Sequence, residues 1–138
     1  MLTQATHYAL IALLHLARSE GEVRSGQSIA TAEQIPGKYL QHLMTDLRKA
    51  GLVMTLEGHT GGHRLARSAA TISIADVLRA MIVAQREQTH ARDIKARRSR
   101  PETNEAYQRA TAAIVDAYEH MYAELGTTTL ADLMISPA

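Results

Sequence analysis

Lys38, Tyr39, Gln41, His42, Thr45, Arg48 and Lys49 lie within one short segment and mostly avoid the apolar positions Leu40, Leu43, Leu47 and Ala50 that recur through it. A Gln amide bonds an adenine edge through both of its polar atoms, and Lys or His donates to guanine acceptors. Arg48 and Lys49, at the end of the segment, suit phosphate oxygens, which supply salt-dependent affinity without sequence information. Tyr39 has two uses open to it: a hydroxyl bond to phosphate, or packing under a neighbouring hairpin with its polar tip outward. Alone, the segment also reads as a solvated helix face, so its surroundings decide.

Those surroundings are specific. Pro36-Gly37 opens a helix, and Gly51 stands where a left-handed C-cap is wanted. Leu52 to Leu56 switches to β-branched and apolar residues, and His63 to Ala66 pairs back antiparallel across the tip Gly58-His59-Thr60-Gly61-Gly62. A tight reversal demands positive φ angles, which glycine supplies. Helix, stop, strand, glycine tip and returning strand predict a winged helix-turn-helix, a unit that sets a helix in a DNA groove with the tip beside it. His59, Thr60 and Arg64 are then the wing's candidate contacts. A nucleotide-cradling loop is the rival, but the lysine and following helix that it needs are missing.

The remaining elements must hold this head. Residues 3–18 read as a helix capped by Thr3, and residues 27–33 as a short second helix. Ser73 with Asp76 forms a capping box for a fourth helix, whose apolar positions are Ile74, Val77, Leu78, Met81 and Ile82. From Gln85 to Arg100 the chain is polar and basic, with Arg92, Lys95, Arg97, Arg98 and Arg100, and reads as a loop or frayed helix. It could reach flanking phosphates or an acidic partner, or be merely solvated. Pro101 suits the first turn of a long helix over about 102–125. There Tyr107, Ala110, Ile114, Ala117, Met121 and Leu125 make a heptad-like dimerisation seam, its two alanines letting a partner helix approach closely. Thr129 with Asp132 caps a last turn, Leu130 to Ile135. The expected fold is mainly α: a winged helix-turn-helix domain (1–83) with a small β-hairpin wing, a basic loop (84–100), and a long C-terminal dimerisation helix with a short terminal helix (101–138).

Composition agrees. The 138 residues are 46% apolar with no Phe and no Trp, so the core is built from Leu, Ile, Ala and Met, the vocabulary of packed helices. Net charge is only +1, but residues 1–70 carry 7 basic and 5 acidic side chains, 71–100 carry 7 and 3, and 101–138 carry 1 and 6. A basic front and acidic back suit a domain that meets a polyanion with one face. No export signal or bilayer-length apolar run appears, so the cytoplasm is expected.

The motifs resemble the Rrf-two family, bacterial winged-helix transcription factors that include IscR, NsrR and CymR. The matching residues are Leu2-Thr3, Tyr8-Ala9-Leu10, Lys38-Tyr39-Leu40, Leu47 to Val53, the wing glycines with Arg64-Leu65-Ala66, Ile74 with Asp76-Val77, and Thr129 to Leu133. The resemblance implies a homodimer joined through the long helix, binding double-stranded DNA at an imperfect palindrome. Many relatives hold an iron-sulfur cluster on three cysteines ahead of the long helix. This chain has no Cys, and such clusters need thiolates for most of their ligands. A further cluster ligand in one branch, an Asp in the first helix, is replaced by His7, read as a vestige or a partly buried polar residue. Glu57 stands where relatives often carry an Arg that enters the minor groove, and phosphates would repel it; Arg64 or His59 could substitute. Ala5 and His7 replace a lysine and arginine common in the first helix.

The seven histidines invite a metal-sensing alternative. His59 and His63 lie on the wing, His7 and His15 are eight apart on the first helix, and His90 and His120 are isolated. No pair has the usual close helical ligand spacing, so neither a metal site nor a cofactor is expected. Met44, Met54, Met81 and Met121 read as core packing rather than oxidant sensors. Paired carboxylates and nucleophile–base sets are missing, so an enzyme is not expected. The reading is a homodimeric DNA-binding regulator, a repressor, that responds to a small molecule, to a partner, or to no signal. The other alternative is a winged helix that has lost DNA binding and works through protein contacts.

Overall fold

Thr3 lends its hydroxyl oxygen to the Thr6 N–H at 3.3 Å, and the first helix, α1 (Gln4–Arg18), starts there. The computed structural model describes residues 3–93 and 105–135, with side chains for 3–85 and 105–134. Ser25 caps α2 (Gly26–Glu33) in the same way, its Oγ accepting from the Ser28 N–H at 3.1 Å. Gln34 ends α2 in the left-handed region at φ +56°, and Pro36 holds Ile35 extended, so the chain swings directly into α3 (Gly37–Lys49). This is the turn of the helix-turn-helix. Ile35 is buried beneath it at 3% exposure.

Along α3 the apolar residues Leu40, Leu43, Met44 and Leu47 are each at most 3% exposed, and the intervening polar residues face outward. They meet Ala9, Ala12, Leu13 and Leu16 of α1 and Ile29 of α2 in one core. Each such leucine contributes about 1.5–3 kcal/mol by leaving water. Gly51, at φ +75°, closes α3 as expected.

The hairpin pairs β1 (Val53–Leu56) with β2 (Gly62–Leu65), Val53 opposite Leu65 and Leu56 opposite Gly62. Strand alternation sends Val53 and Leu65 into the core and leaves Met54 and Leu56 outward, 45% and 41% exposed. Met54 is therefore not a core residue, unlike Met44 and Met81. One contact joins the hairpin root to the loop between α1 and α2. Arg24 and His63 exchange both backbone bonds, at 2.8 and 2.7 Å. The tip glycines have two different reasons. Gly58, at φ +105°, needs its conformation. Gly61 needs space, because a Cβ there would lie 2.2 Å from the Leu56 carbonyl oxygen.

The Ser73–Asp76 capping box forms in both directions, at 3.1 and 2.9 Å, and starts α4 (Ile74–Asp93). α4 runs into the stretch from Gln85 that reads as a loop or a frayed helix, and through Asp93 the helix is what forms. Ala84, Gln85, Arg86, Glu87 and Gln88 are good helix formers with no Gly or Pro among them, so polarity alone does not stop the helix. The rest of the expected basic loop, with Lys95, Arg97, Arg98 and Arg100, and the expected start at Pro101 lie outside the described residues.

α5 (Glu105–Leu125) divides in two. Its last turns pack on α4, where Tyr118, Met121, Tyr122 and Leu125 meet Ala75, Leu78 and Ile82. From 105 to 117 every residue is exposed. The expected seam is thus split: Met121 and Leu125 serve the chain's own packing, and Tyr107, Ala110, Ile114 and Ala117 do not. In sequence the seam reads as one stripe, because periodicity does not say which partner a stripe meets. α6 (Leu130–Ile135) begins at the expected Thr129–Asp132 box, with bonds of 2.9 and 3.2 Å. It returns to the first core, where Leu130 is fully buried and its N–H bonds the Ile72 carbonyl at 2.9 Å.

Candidate nucleic-acid interface

The outward side of α3 spreads across half a cylinder. Lys38, Gln41, His42, Thr45, Arg48 and Lys49 are all exposed. Gln41 and Arg48 stand on the flank toward the wing, Lys38 and Thr45 near the middle, and His42 and Lys49 beyond them. The Thr45 hydroxyl donates to the Gln41 carbonyl at 3.0 Å, which turns its methyl group to the surface and leaves its oxygen free only to accept. Arg48 and Lys49 stand in the last turn, where cations also oppose the negative end of the helix dipole.

Tyr39 lies apart from this group. It is half-buried and meets Tyr8 of α1 edge to face, rather than packing beneath the hairpin. In a core without Phe or Trp this pair supplies the aromatic contact between α1 and α3. On that same flank Tyr39, His42 and Asp46 border a groove of about 1150 Å³ whose other walls are the start of α1, α4 and α5. In it the Arg79 guanidinium lies 4.6 Å over the Tyr122 ring.

The wing stands on the opposite flank. His59 and Thr60 are exposed at its tip, with Glu57 exposed just before it. Arg64 lies on the outer face across from Met54, its guanidinium nitrogen 3.9 Å from the Met54 sulfur. Met54, Leu56 and Arg64 thus form an apolar and cationic outer face that reading the tip alone missed. The period-two alternation of Val53 to Leu56 carries that signal. His63 faces inward, its Nδ1 3.0 Å from the Thr55 hydroxyl. Burial, and secondarily the Arg48 charge, lower its pKa.

The other histidines do not gather. His7 is exposed at the start of α1 against the Thr3 carbonyl, and so is not the partly buried residue expected as one alternative. His15 is half-buried and pairs with Glu33 at 2.8 Å. His120 lies beside Asp116 on the surface of α5. Among the described residues, no group of three or more His, Asp or Glu could hold a metal ion. His90 lies outside the described side chains. No helix among the described residues is long and apolar enough to cross a membrane.

Comparison with known proteins puts this geometry in context. The profile of Rrf2, described as an iron-dependent transcriptional regulator, matches residues 2–136. Protein rrf2 of Nitratidesulfovibrio vulgaris is 32% identical over 96% of this chain and 86% of its own length. An rrf2-like HTH-type regulator of Rhodobacter capsulatus is 39% identical over 83 residues. The regulator IscR of Cereibacter sphaeroides is 36% identical over 77. These last two matches span about half of each relative, 55% and 50% of their lengths, and 57% and 54% of this chain. Among solved structures, CymR, the global cysteine regulator of B. subtilis, superposes with a TM-score of 0.66 at 25% identity, over 96% of this chain and 95% of that one. T. potens IscR superposes at 0.65 with 27% identity, over 97% and 85%.

Proposed function

The chain belongs to the Rrf2 family of DNA-binding transcriptional regulators, not enzymes, and from that premise we propose a homodimeric repressor that reads an imperfect palindrome. Each copy sets α3 in a major groove, the two grooves about one turn apart, with its wing against the flanking backbone. Gln41 and His42 read base edges, with Lys38 and Thr45 beside them. Arg48, Lys49, Arg64 and the tip residues His59 and Thr60 hold the phosphates. The observation that carries this reading is the shape of α3. One face is sealed in the core, the other exposes Lys38, Gln41, His42, Thr45, Arg48 and Lys49 with Asp46 half-buried at its far edge, and a hairpin stands at its side.

Dimerisation follows from the first half of α5. Tyr107, Ile114 and Val115 are more than half exposed, and Ala110 and Ala117 leave room for a second backbone. A bare helix of that length is marginal in water without a partner.

The signal is not a cysteine-held cluster. The family profile is described as iron-dependent, yet this chain has no thiolate to offer iron. A small-molecule effector fits the groove between α3, α4 and α5, because an occupant there would touch the reading helix and the dimer helix together. Acting on the chromosome, the protein works in the cytoplasm. One observation favours the second reading, a protein-interaction module: Glu57 sits exposed on the wing, where a phosphate would repel it.

Selection of bound fragments from the host genome, followed by sedimentation with the selected duplex, tests the proposal. Two copies per site and a sequence consensus are expected. A protein that is monomeric and binds no host duplex at low salt refutes it.

A further inference from the structure

His63 is the residue at which the wing, the loop before α2, the start of α2 and the reading helix come together. Its backbone exchanges two bonds with Arg24, and its Nδ1 lies 3.0 Å from the Thr55 hydroxyl. Its Nε2 edge lies against Gly26, 3.5 Å from where a Cβ would stand. The ring faces a cleft of about 500 Å³ that Gln41 and Gly37 of α3 also line.

We propose that His63 is the proton-linked pin of the reading head: duplex binding takes up one proton at its ring. The proposal rests on the reading that α3 and the wing grip DNA.

The charged groups on the elements around it favour this. Arg48 comes from α3, and among the described residues no carboxylate pairs with it. Arg24 comes from the loop, but Glu22 at 2.7 Å and Ser19 at 3.1 Å already engage it. The first turn of α2 is Gly26, Gln27 and Ser28, and the β1 neighbour is Thr55, all neutral. In the free protein partial burial first and Arg48 second disfavour the charged ring and lower its pKa. A phosphate on Arg48 cancels that repulsion and adds a negative potential at the ring. The charged ring has a partner ready. Nδ1–H donates to the Thr55 oxygen, and Nε2 lies beside Gly26 at the edge of the cleft that both residues line. The sign follows from linkage. A group that gains proton affinity in the complex strengthens binding as pH falls through its bound-state value, and the gain is complete below its free-state value.

The test is fluorescence anisotropy of the full chain on its selected duplex, from about pH 8 down to about pH 5.5. Wild type, His63→Gln, His42→Gln and His59→Gln are compared. The wild type is expected to tighten about 3–10-fold toward low pH. His63→Gln, a neutral polar replacement that does not titrate, is expected to match it at pH 8 and to stay flat. The other two variants remove DNA contacts of their own, so they are expected to bind more weakly at every pH while still tightening as pH falls. Proton NMR titration of the His63 ring with and without duplex gives a second readout that needs no variant, and a rise in its pKa on binding is expected. A slope that survives in His63→Gln, or a ring whose titration ignores DNA, overturns the proposal while leaving the DNA-binding reading intact. No binding by the wild type at pH 8 overturns both.

Discussion

Tyr8 and Tyr39 meet edge to face across α1 and α3, with ring centroids 5.5 Å apart and planes at 75°. The contact fixes the base of the reading helix against the first helix, and it separates two roles that the type and position of Tyr39 leave open. Tyr39→Ala is expected to cost about 1–3 kcal/mol of stability by urea denaturation. Tyr39→Phe keeps the ring pair and is expected to leave both stability and DNA affinity unchanged. A tenfold loss of affinity in Tyr39→Phe at unchanged stability would make the hydroxyl a phosphate contact after all.

Gln41 and Arg48 share one flank of α3 yet should behave differently. Gln41→Ala is expected to weaken binding to the selected site by about 1–3 kcal/mol and to leave non-specific DNA almost untouched. Arg48→Ala should weaken both, and its plot of log affinity against log salt should flatten by about one phosphate. Equal losses on both duplexes for Gln41→Ala would remove it from the reading residues.

The wing tolerates no side chain at Gly62, at the tip end of β2. A Cβ there would lie 2.3 Å from the Arg24 carbonyl oxygen, in a backbone at φ +156°. Gly62→Ala is expected to destabilise the chain by about 2–4 kcal/mol and to release the Arg24–His63 bridge. Faster hydrogen exchange at the His63 and Arg24 amides reports the release, and unchanged exchange rates would count against it.

Asp76 gives the fold an acid limit. Burial alone would raise its pKa, but the Ser73 N–H, the Arg67 guanidinium and the Ser73 hydroxyl together bring it below the ordinary value. A depressed carboxylate stabilises the fold above its unfolded pKa, about 3.9, and that stability is lost as pH falls through the lower folded value. Asp76→Ala is expected to cost about 1–2 kcal/mol at neutral pH and to blunt the loss of melting temperature below about pH 4. A variant whose acid unfolding matches wild type would assign the limit to other carboxylates.

On α5, Ile114 and Leu125 belong to one heptad stripe but face different surroundings. Ile114→Glu is expected to leave the monomer folded and abolish the dimer in sedimentation equilibrium, with operator affinity falling alongside. Leu125→Ala, packed on the α4 cluster, should lower the melting temperature first. Dimers that persist in Ile114→Glu would move the interface elsewhere.

Legibility from sequence followed the range of the interactions. Thr3, Gly51, the Ser73–Asp76 pair and Thr129–Asp132 act within a few residues, and each was readable in place. So was the apolar stripe of α3. Contacts that join distant segments left no local mark. Arg24 meeting His63, Tyr8 meeting Tyr39, and the division of the α5 stripe between two surfaces depend on how the elements are assembled. The polar stretch after Gln85 reads equally as a loop or a frayed helix, because its run of charges and its helix propensity point opposite ways, and the fold continues α4 to Asp93. The candidate interface was legible as a set of residue types on α3, but not in which flank each one occupies.

On the proposed pairing of two copies, the bare stretch of α5 from 105 to 117 ties the stability of this helix to gene dosage. A helix steadied by a second molecule gains stability as molecules accumulate, so the melting temperature should climb with protein concentration. Newly made chains would stay inert until their numbers crossed a threshold. A cell could then set the onset of regulation simply by how much of this polypeptide it translates.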